Sequence, residues 1–231
     1  MRMIGLTLVL FIVIAKTYPF NASVIVLPSQ QLLYAQFTKT WSSAWPDMTP
    51  NAAVGIEKHI RGHGVCLSLL NVLQNDLAAN TTVPSAIFEP DALPFPNVNY
   101  SSISMHEFVV HDVYFLGGHN VFTNQQPTTK WVGVLQIYGC YGMIISSHAR
   151  RRVWKHLKSY CAEARMHYDI DVVLSRCFDS VVATPLLIDH PKMAFSETWR
   201  TTKVRNWASV PTWWNFRPLP PLYDKNKVCV Y

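Results

Sequence analysis

The chain has 231 residues, of which 49% are hydrophobic and 15% are charged. This composition excludes an intrinsically disordered protein, and the length suits one globular domain better than two. A formal net charge of +6 and a pI of about 9.1 favour an anionic ligand, such as a nucleotide diphosphate, a nucleic acid or a membrane surface.

The amino terminus has the pattern of a secretion signal. Residues Met3–Ala15 carry no charge and lie between Arg2 and Lys16. Because a bilayer-spanning helix needs about 20 apolar residues, we expect residues 1–15 to be a signal peptide or a short signal anchor. The protein is therefore predicted to act in the endoplasmic reticulum or Golgi lumen, or to be secreted, with an anchor as its contact with membranes.

Glycosylation sequons and cysteines agree with that compartment. Asn-X-Ser/Thr sequons begin at Asn21, Asn80 and Asn99, so we expect a glycoprotein. The five cysteines include no Cys-x-x-Cys pair and no zinc-ligand spacing. One or two disulfides and a leftover thiol are expected, with their pairing open.

Short apolar runs alternate with helical patterns along the rest of the chain. The apolar runs predict buried strands, and apolar residues at helical spacing predict amphipathic helices. This alternation predicts an α/β fold, in which ligands collect beyond the carboxyl ends of the strands. The predicted strands are 23–27, 86–88, 109–116, 132–137 and a last region, 181–188, interrupted by Pro185; the predicted helices are 64–77 and one from about Ala149.

Arg150, Arg151 and Arg152 form the one dense basic cluster in the sequence. They stand at the start of a predicted amphipathic helix, so we interpret them as a solvated helix face. A nucleic-acid-binding protein usually has a broader basic stripe with interleaved aromatic residues. We therefore expect no nucleic-acid partner.

The segment Glu89-Pro90-Asp91 directly follows the predicted strand 86–88. Proline cannot extend the hydrogen-bond ladder of a central strand, so the chain must turn there and present both carboxylates at the strand's carboxyl end. Two carboxylates one residue apart can bind Mn²⁺ or Mg²⁺ together with diphosphate oxygens. By itself this pattern also fits a solvated turn.

Five short motifs in succession resemble one glycosyltransferase family, that of the lipooligosaccharide galactosyltransferases and procollagen galactosyltransferases. The resemblance covers roughly 23–199 and implies a GT-A-like nucleotide-sugar-binding domain, with a mixed, mainly parallel central sheet flanked by helices. We place this domain at 23–205 and a Pro/Trp-rich covering segment at 206–231. The motifs are 62–68 (GHGVCLS), 87–92 (IFEPDA), 115–119 (FLGGH), 139–146 (GCYGMIIS) and 169–174 (DIDVVL).

The resemblance implies a metal-dependent, inverting hexosyltransferase. Its donor would be a nucleotide sugar, with UDP-galactose one candidate, and its acceptor a hydroxyl group of a glycan or glycoprotein. It also assigns roles to residues. The metal ligands would be Glu89, Asp91 and His190; Arg61, Gly62 and Ser68 would lie near the nucleotide; Gly117, Gly118 and His119 would line the sugar or acceptor side; and Asp171, with Asp169 as its competitor, would be the general base.

The chain departs from the family at two places. An arginine-rich loop is expected after the first strand, where this chain has Pro28-Ser29-Gln30-Gln31, and two adjacent aspartates are usual where it has Glu89-Pro90-Asp91. A catalytically inactive, secreted binding module with the same fold is therefore the main alternative. A secreted hydrolase is less favoured, because the sequence has no Gly-x-Ser-x-Gly motif.

Overall fold

Buried apolar strands form a central sheet with helices on both faces. In the computed structural model, the described residues are 20–57, 63–95, 97–123, 129–139, 141–162, 169–189, 193–196, 201–204, 214–215 and 229. The α-helices are α1 (Gln31–Ala44), α2 (His63–Ala78), α3 (Ser147–Ala162) and α4 (Ile170–Cys177). The strands are β1 (Phe20–Val26), β2 (Met48–Val54), β3 (Ser85–Phe88), β4 (Leu93–Pro94), β5 (Val113–Phe115), β6 (His119–Phe122), β7 (Trp131–Gly133), β8 (Gln136–Tyr138), β9 (Gly142–Ile145), β10 (Ser180–Ala183), β11 (Ile188–Asp189), β12 (Met193–Ser196), β13 (Thr201–Val204) and β14 (Trp214–Asn215).

The central sheet has seven strands in the order β2-β1-β3-β9-β5-β10-β7. Strands β2, β1, β3, β5 and β10 run in one direction, and β9 and β7 run in the other. The predicted α/β class, with a mixed, mainly parallel sheet flanked by helices, is confirmed. Three small sheets accompany it: β4 with β11, β12 with β13, and β6 between β14 and β8.

The two faces of the sheet carry separate cores. Successive strand residues point to opposite faces, so Ile87 and Phe88 belong to different clusters. On the Phe88 side lies α1, through Phe37 and Trp41. On the Ile87 side lie α2, α3 and α4, and a disulfide between Cys66 and Cys161 joins α2 to α3.

Helix α1 and strand β2 are among the elements that the sequence pattern did not predict. In α1 only Phe37 and Trp41 are buried, and polar residues surround them, so the apolar stripe is narrow. Strand β2 is the last strand on its side of the sheet, mostly exposed, and contains Pro50. Proline and polar residues are tolerated in such an edge strand, and they conceal it in the sequence.

Two predicted strands differ from the observed ones. The run from Val109 to Leu116 forms a strand only over Val113–Phe115, and Val109 and Val110 are exposed in a turn before it. The run 132–137 is divided between β7 and β8, which belong to different sheets. Apolar character alone therefore overestimated the length of both strands.

Arg150 corrects the interpretation of the basic cluster. Its side chain is 2% exposed and donates to Ser85 Oγ at 2.7 Å and to the Thr81 carbonyl at 2.8 Å. Arg152 pairs with the buried Asp112. Arg151 and Arg152 are both exposed, as a solvated helix face requires, so the buried Arg150 is the arginine that contradicts this interpretation.

The predicted terminal segments fall largely outside the described residues. Residues 1–15 lie wholly outside them. Of the covering segment 206–231, β14 pairs with β6, and Cys229 forms a disulfide with Cys177 at the end of α4. None of the helices in the described ranges has the length and apolar character needed to cross a bilayer.

Candidate functional site

The acidic segment forms a tight turn at the carboxyl end of β3. The Ala92 N–H donates to the Glu89 carbonyl at 3.2 Å and closes the turn. Pro90 is buried at the second turn position, where its fixed φ is favourable, while Glu89 and Asp91 are half-buried. The turn therefore lies at the strand end that the sequence predicted.

Helix α1 supports this turn from one face of the sheet. The indole N–H of the buried Trp41 donates to the Ala92 carbonyl at 2.8 Å. The Trp41 ring also lies 5.4 Å from the rings of both Phe88 and Tyr100. Sequence reasoning missed this contact because it did not predict α1.

The ends of three strands meet beside the turn. The Glu89 N–H donates to the Tyr141 carbonyl at 2.9 Å, and Phe88 pairs with Gly142. The Leu116 N–H donates to the Gly142 carbonyl at 2.9 Å. The carboxyl ends of β3 and β5 and the start of β9 therefore form one edge, with the acidic turn upon it.

Gly117 and Gly118 lie at this edge and are required by packing. A Cβ atom on Gly117 would lie 2.4 Å from the Ile188 carbonyl oxygen, and one on Gly118 would lie 2.6 Å from Ile137 Cδ1. Their role towards a sugar remains a prediction. His119 begins β6 and pairs with Tyr138, but its side chain lies outside the described residues.

Asp171 connects α4 to the same region. It is buried near the start of α4, and its carboxylate accepts hydrogen bonds from the N–H groups of Gly139 and Val172. Gly139 has a φ of 78°, a conformation that glycine adopts readily. Since the Tyr141 N–H donates to the Gly139 carbonyl, this carboxylate helps to fix the loop that contacts Glu89.

The pKa of Asp171 is raised to about 7, chiefly by burial and also by the neighbouring Asp169, while backbone hydrogen bonds to the carboxylate oppose the shift. Asp169 precedes α4, is half-buried, and makes no capping hydrogen bond with its side chain. A carboxyl group with a pKa near neutral pH can exchange a proton under physiological conditions. Of the two carboxylates, Asp169 is the more accessible to a substrate.

The pKa of Asp171 predicts a change of stability with pH. An unfolded aspartate has a pKa of about 3.9, so raising the pH from 4 to 7 ionises Asp171 in the unfolded chain first and lowers the free energy of unfolding, by up to about 4 kcal/mol. Asn does not ionise, so Asp171→Asn should not show this fall in the free energy of unfolding. In urea unfolding, the stability of the variant relative to the wild type should therefore rise between pH 5 and pH 8, and Asp47→Asn is the control. If the free energies of unfolding of Asp171→Asn and the wild type changed equally with pH, a raised pKa would be contradicted.

Ser68 is buried within α2, and Arg61, Gly62 and His190 lie outside the described residues. The Ser68 hydroxyl donates to the Gly64 carbonyl and accepts a hydrogen bond from Ile56 N–H, so it joins α2 to the segment after β2. Its contact with a nucleotide remains a prediction.

The described residues contain no group of three or more His, Cys, Asp and Glu side chains that could hold a metal ion. The two carboxylates of the acidic turn, Glu89 and Asp91, are both hard oxygen donors, which suits Mn²⁺ or Mg²⁺ when a ligand supplies the remaining oxygens. His190 directly follows Asp189, which pairs with Leu93 two residues beyond Asp91.

Neither a protein-family profile nor a curated protein matches the chain. Among solved structures, a protein from STIV is similar at 15% identity, covering 80% of this chain and 94% of its own, with a TM-score of 0.45. A glycosyltransferase involved in the glycosylation of the major capsid of PBCV-1 is similar at 12% identity, covering 78% and 96%, with a TM-score of 0.42. Likenesses this distant do not transfer an activity to the chain.

Proposed function

We propose that the protein is a metal-dependent hexosyltransferase of GT-A-like fold. It would transfer a hexose, with galactose one candidate, from a nucleotide sugar to a hydroxyl group of a glycan or glycoprotein, with inversion. The observation that carries this proposal is the acidic turn of Glu89 and Asp91 at the carboxyl edge of the sheet. That edge is where α/β proteins bind their ligands.

The acidic turn would hold Mn²⁺ or Mg²⁺ through Glu89 and Asp91, with diphosphate oxygens completing the coordination. Bound there, the cation would neutralise negative charge that develops on the leaving diphosphate. The hydrogen bond from the Trp41 indole to the Ala92 carbonyl supports the backbone of the turn that would present the two carboxylates. His190 is our candidate for a third protein ligand of the metal.

A carboxylate near α4 would deprotonate the acceptor hydroxyl during inversion. We propose Asp169 for this role, because it is half-buried, whereas both oxygens of the buried Asp171 accept backbone hydrogen bonds. Asp171 would then act as a positioning residue for the loop at Gly139. A base must lie within hydrogen-bonding reach of the proton that it removes, and accessibility therefore favours Asp169.

A donor screen tests the proposed activity. Purified protein is incubated with a panel of nucleotide sugars with Mn²⁺ or with EDTA, and release of the nucleoside diphosphate is measured. We expect release from one donor, dependent on Mn²⁺. Metal-dependent binding without release would instead support the inactive binding module, and neither binding nor release from any donor would contradict both.

A further inference from the structure

The outer surface of α3 carries a row of cations. Arg151, Lys155 and Lys158 are exposed and lie at positions i, i+4 and i+7, which share one face of a helix. They extend over about 10 Å along the helix axis. This row differs from the arginine cluster in the sequence, because Arg150 and Arg152 are engaged with other segments.

An aromatic and apolar surface adjoins the cations. Trp154 lies beside this row on α3, and Lys158 Nζ stands 4.9 Å from the centre of its ring. A shallow depression of about 330 Å³ separates α2 from α3, and most of its exposed lining is apolar. It is lined by Gln74, Leu77, Ala78, Arg151, Trp154 and Lys155.

No carboxylate among the described residues neutralises this row. The ion pairs there involve other basic residues, and the nearby acids Asp76 and Asp112 are engaged with Ser85 Oγ and with Arg152. Three exposed cations that pair with no described carboxylate attract an anionic partner. Their arrangement along an apolar strip, rather than around a point, matches a surface better than a single small anion.

We propose that this face of α3 binds the surface of an anionic phospholipid membrane. Exposed lysine and arginine side chains attract the phosphates of anionic lipids, and tryptophan is enriched at the membrane–water interface. The cations would contact lipid phosphates, while Trp154 and Leu77 contact the region below them. This contact is additional to any amino-terminal anchor, and it leaves the acidic turn at the sheet edge uncovered.

Vesicle flotation tests the proposal with the full chain. One set of vesicles is phosphatidylcholine, and the other contains about one third phosphatidylserine, which supplies the negative surface potential. Each basic residue near such a surface contributes about fivefold in affinity, so replacing Arg151, Lys155 and Lys158 by Gln together should weaken binding about 100-fold. Binding by the wild type should also fall as salt is raised.

A matched pair of variants distinguishes the effect of a charge's position on binding from the effect of the net charge of the protein. Lys155→Glu and Lys39→Glu change the net charge equally, but Lys39 lies on α1, across the sheet from α3. We expect Lys155→Glu to weaken binding to the anionic vesicles about 25-fold and Lys39→Glu to change it by less than about twofold, because salt screens charges beyond about 8 Å. Residues 1–15 are the same in every variant, so their contribution cancels.

Equal binding to both kinds of vesicle, or equal loss in the two variants, would overturn the proposal. A further outcome is that the protein fails to bind either kind of vesicle but binds poly-L-glutamate, with Lys155→Glu abolishing that binding. This result would also overturn the proposal, and it would assign the face to an acidic protein partner.

Discussion

Replacing Asp91 with Asn is expected to reduce Mn²⁺-dependent release of nucleoside diphosphate to background. The change removes one negative charge from the acidic turn and preserves the volume of the side chain. An amide oxygen can still contact a divalent cation, but it lacks the charge that competes with the hydration shell of that cation. The rate of donor turnover measures this effect, and Glu89→Gln should act in the same direction.

Asp47→Asn is the control for Asp91→Asn. Asp47 is also half-buried, and it lies between α1 and β2, away from the carboxyl edge of β3. Both variants should unfold at wild-type urea concentrations, since neither change alters a buried apolar contact. An Asp91→Asn protein that keeps full Mn²⁺-dependent activity would remove the acidic turn from the mechanism.

Replacing Asp169 with Asn should lower the rate of transfer by about 10²–10⁴, the usual contribution of a general base. Donor affinity should not change, because the proposed base acts on the acceptor. The fold should also persist, because the change preserves the volume of a half-buried side chain. Single-turnover transfer rates, measured together with donor affinity by calorimetry, separate the two effects.

Asp171→Asn gives the complementary result. The Asp171 carboxylate accepts a hydrogen bond from the Gly139 N–H. Losing the carboxylate should disturb the loop at Gly139 and raise the KM for the donor more than it lowers kcat. If transfer persists in Asp169→Asn and is lost in Asp171→Asn with donor affinity unchanged, the base is Asp171. The assignment by accessibility would then be wrong.

The sequence predicted the buried strands of the fold well because their residues are apolar on both faces. β1 and β3 follow the runs that were expected, and α2 begins and ends within one residue of its apolar pattern. It failed where one side of an element is solvated, as in α1 and β2. Patterns of apolar residues report burial, and these two elements bury little.

At the site, the sequence located the acidic turn, since Pro90 must interrupt the strand ladder. It could not identify Trp41 as the support of that turn, because the two are 51 residues apart and indole N–H contacts leave no periodic signal. Nor could it distinguish the buried Asp171 from the more accessible Asp169. Their difference comes from packing around Gly139, which no local pattern encodes.

Titration of UDP into the wild-type protein, with Mn²⁺ and with EDTA, tests most directly whether the acidic turn holds a metal and a diphosphate. We expect UDP to bind at least about tenfold more tightly with Mn²⁺, the effect of about 1.4 kcal/mol from charge neutralisation at the turn. Asp91→Asn should abolish this difference. Equal affinity for UDP with Mn²⁺ and with EDTA, or no binding under either condition, would contradict the account.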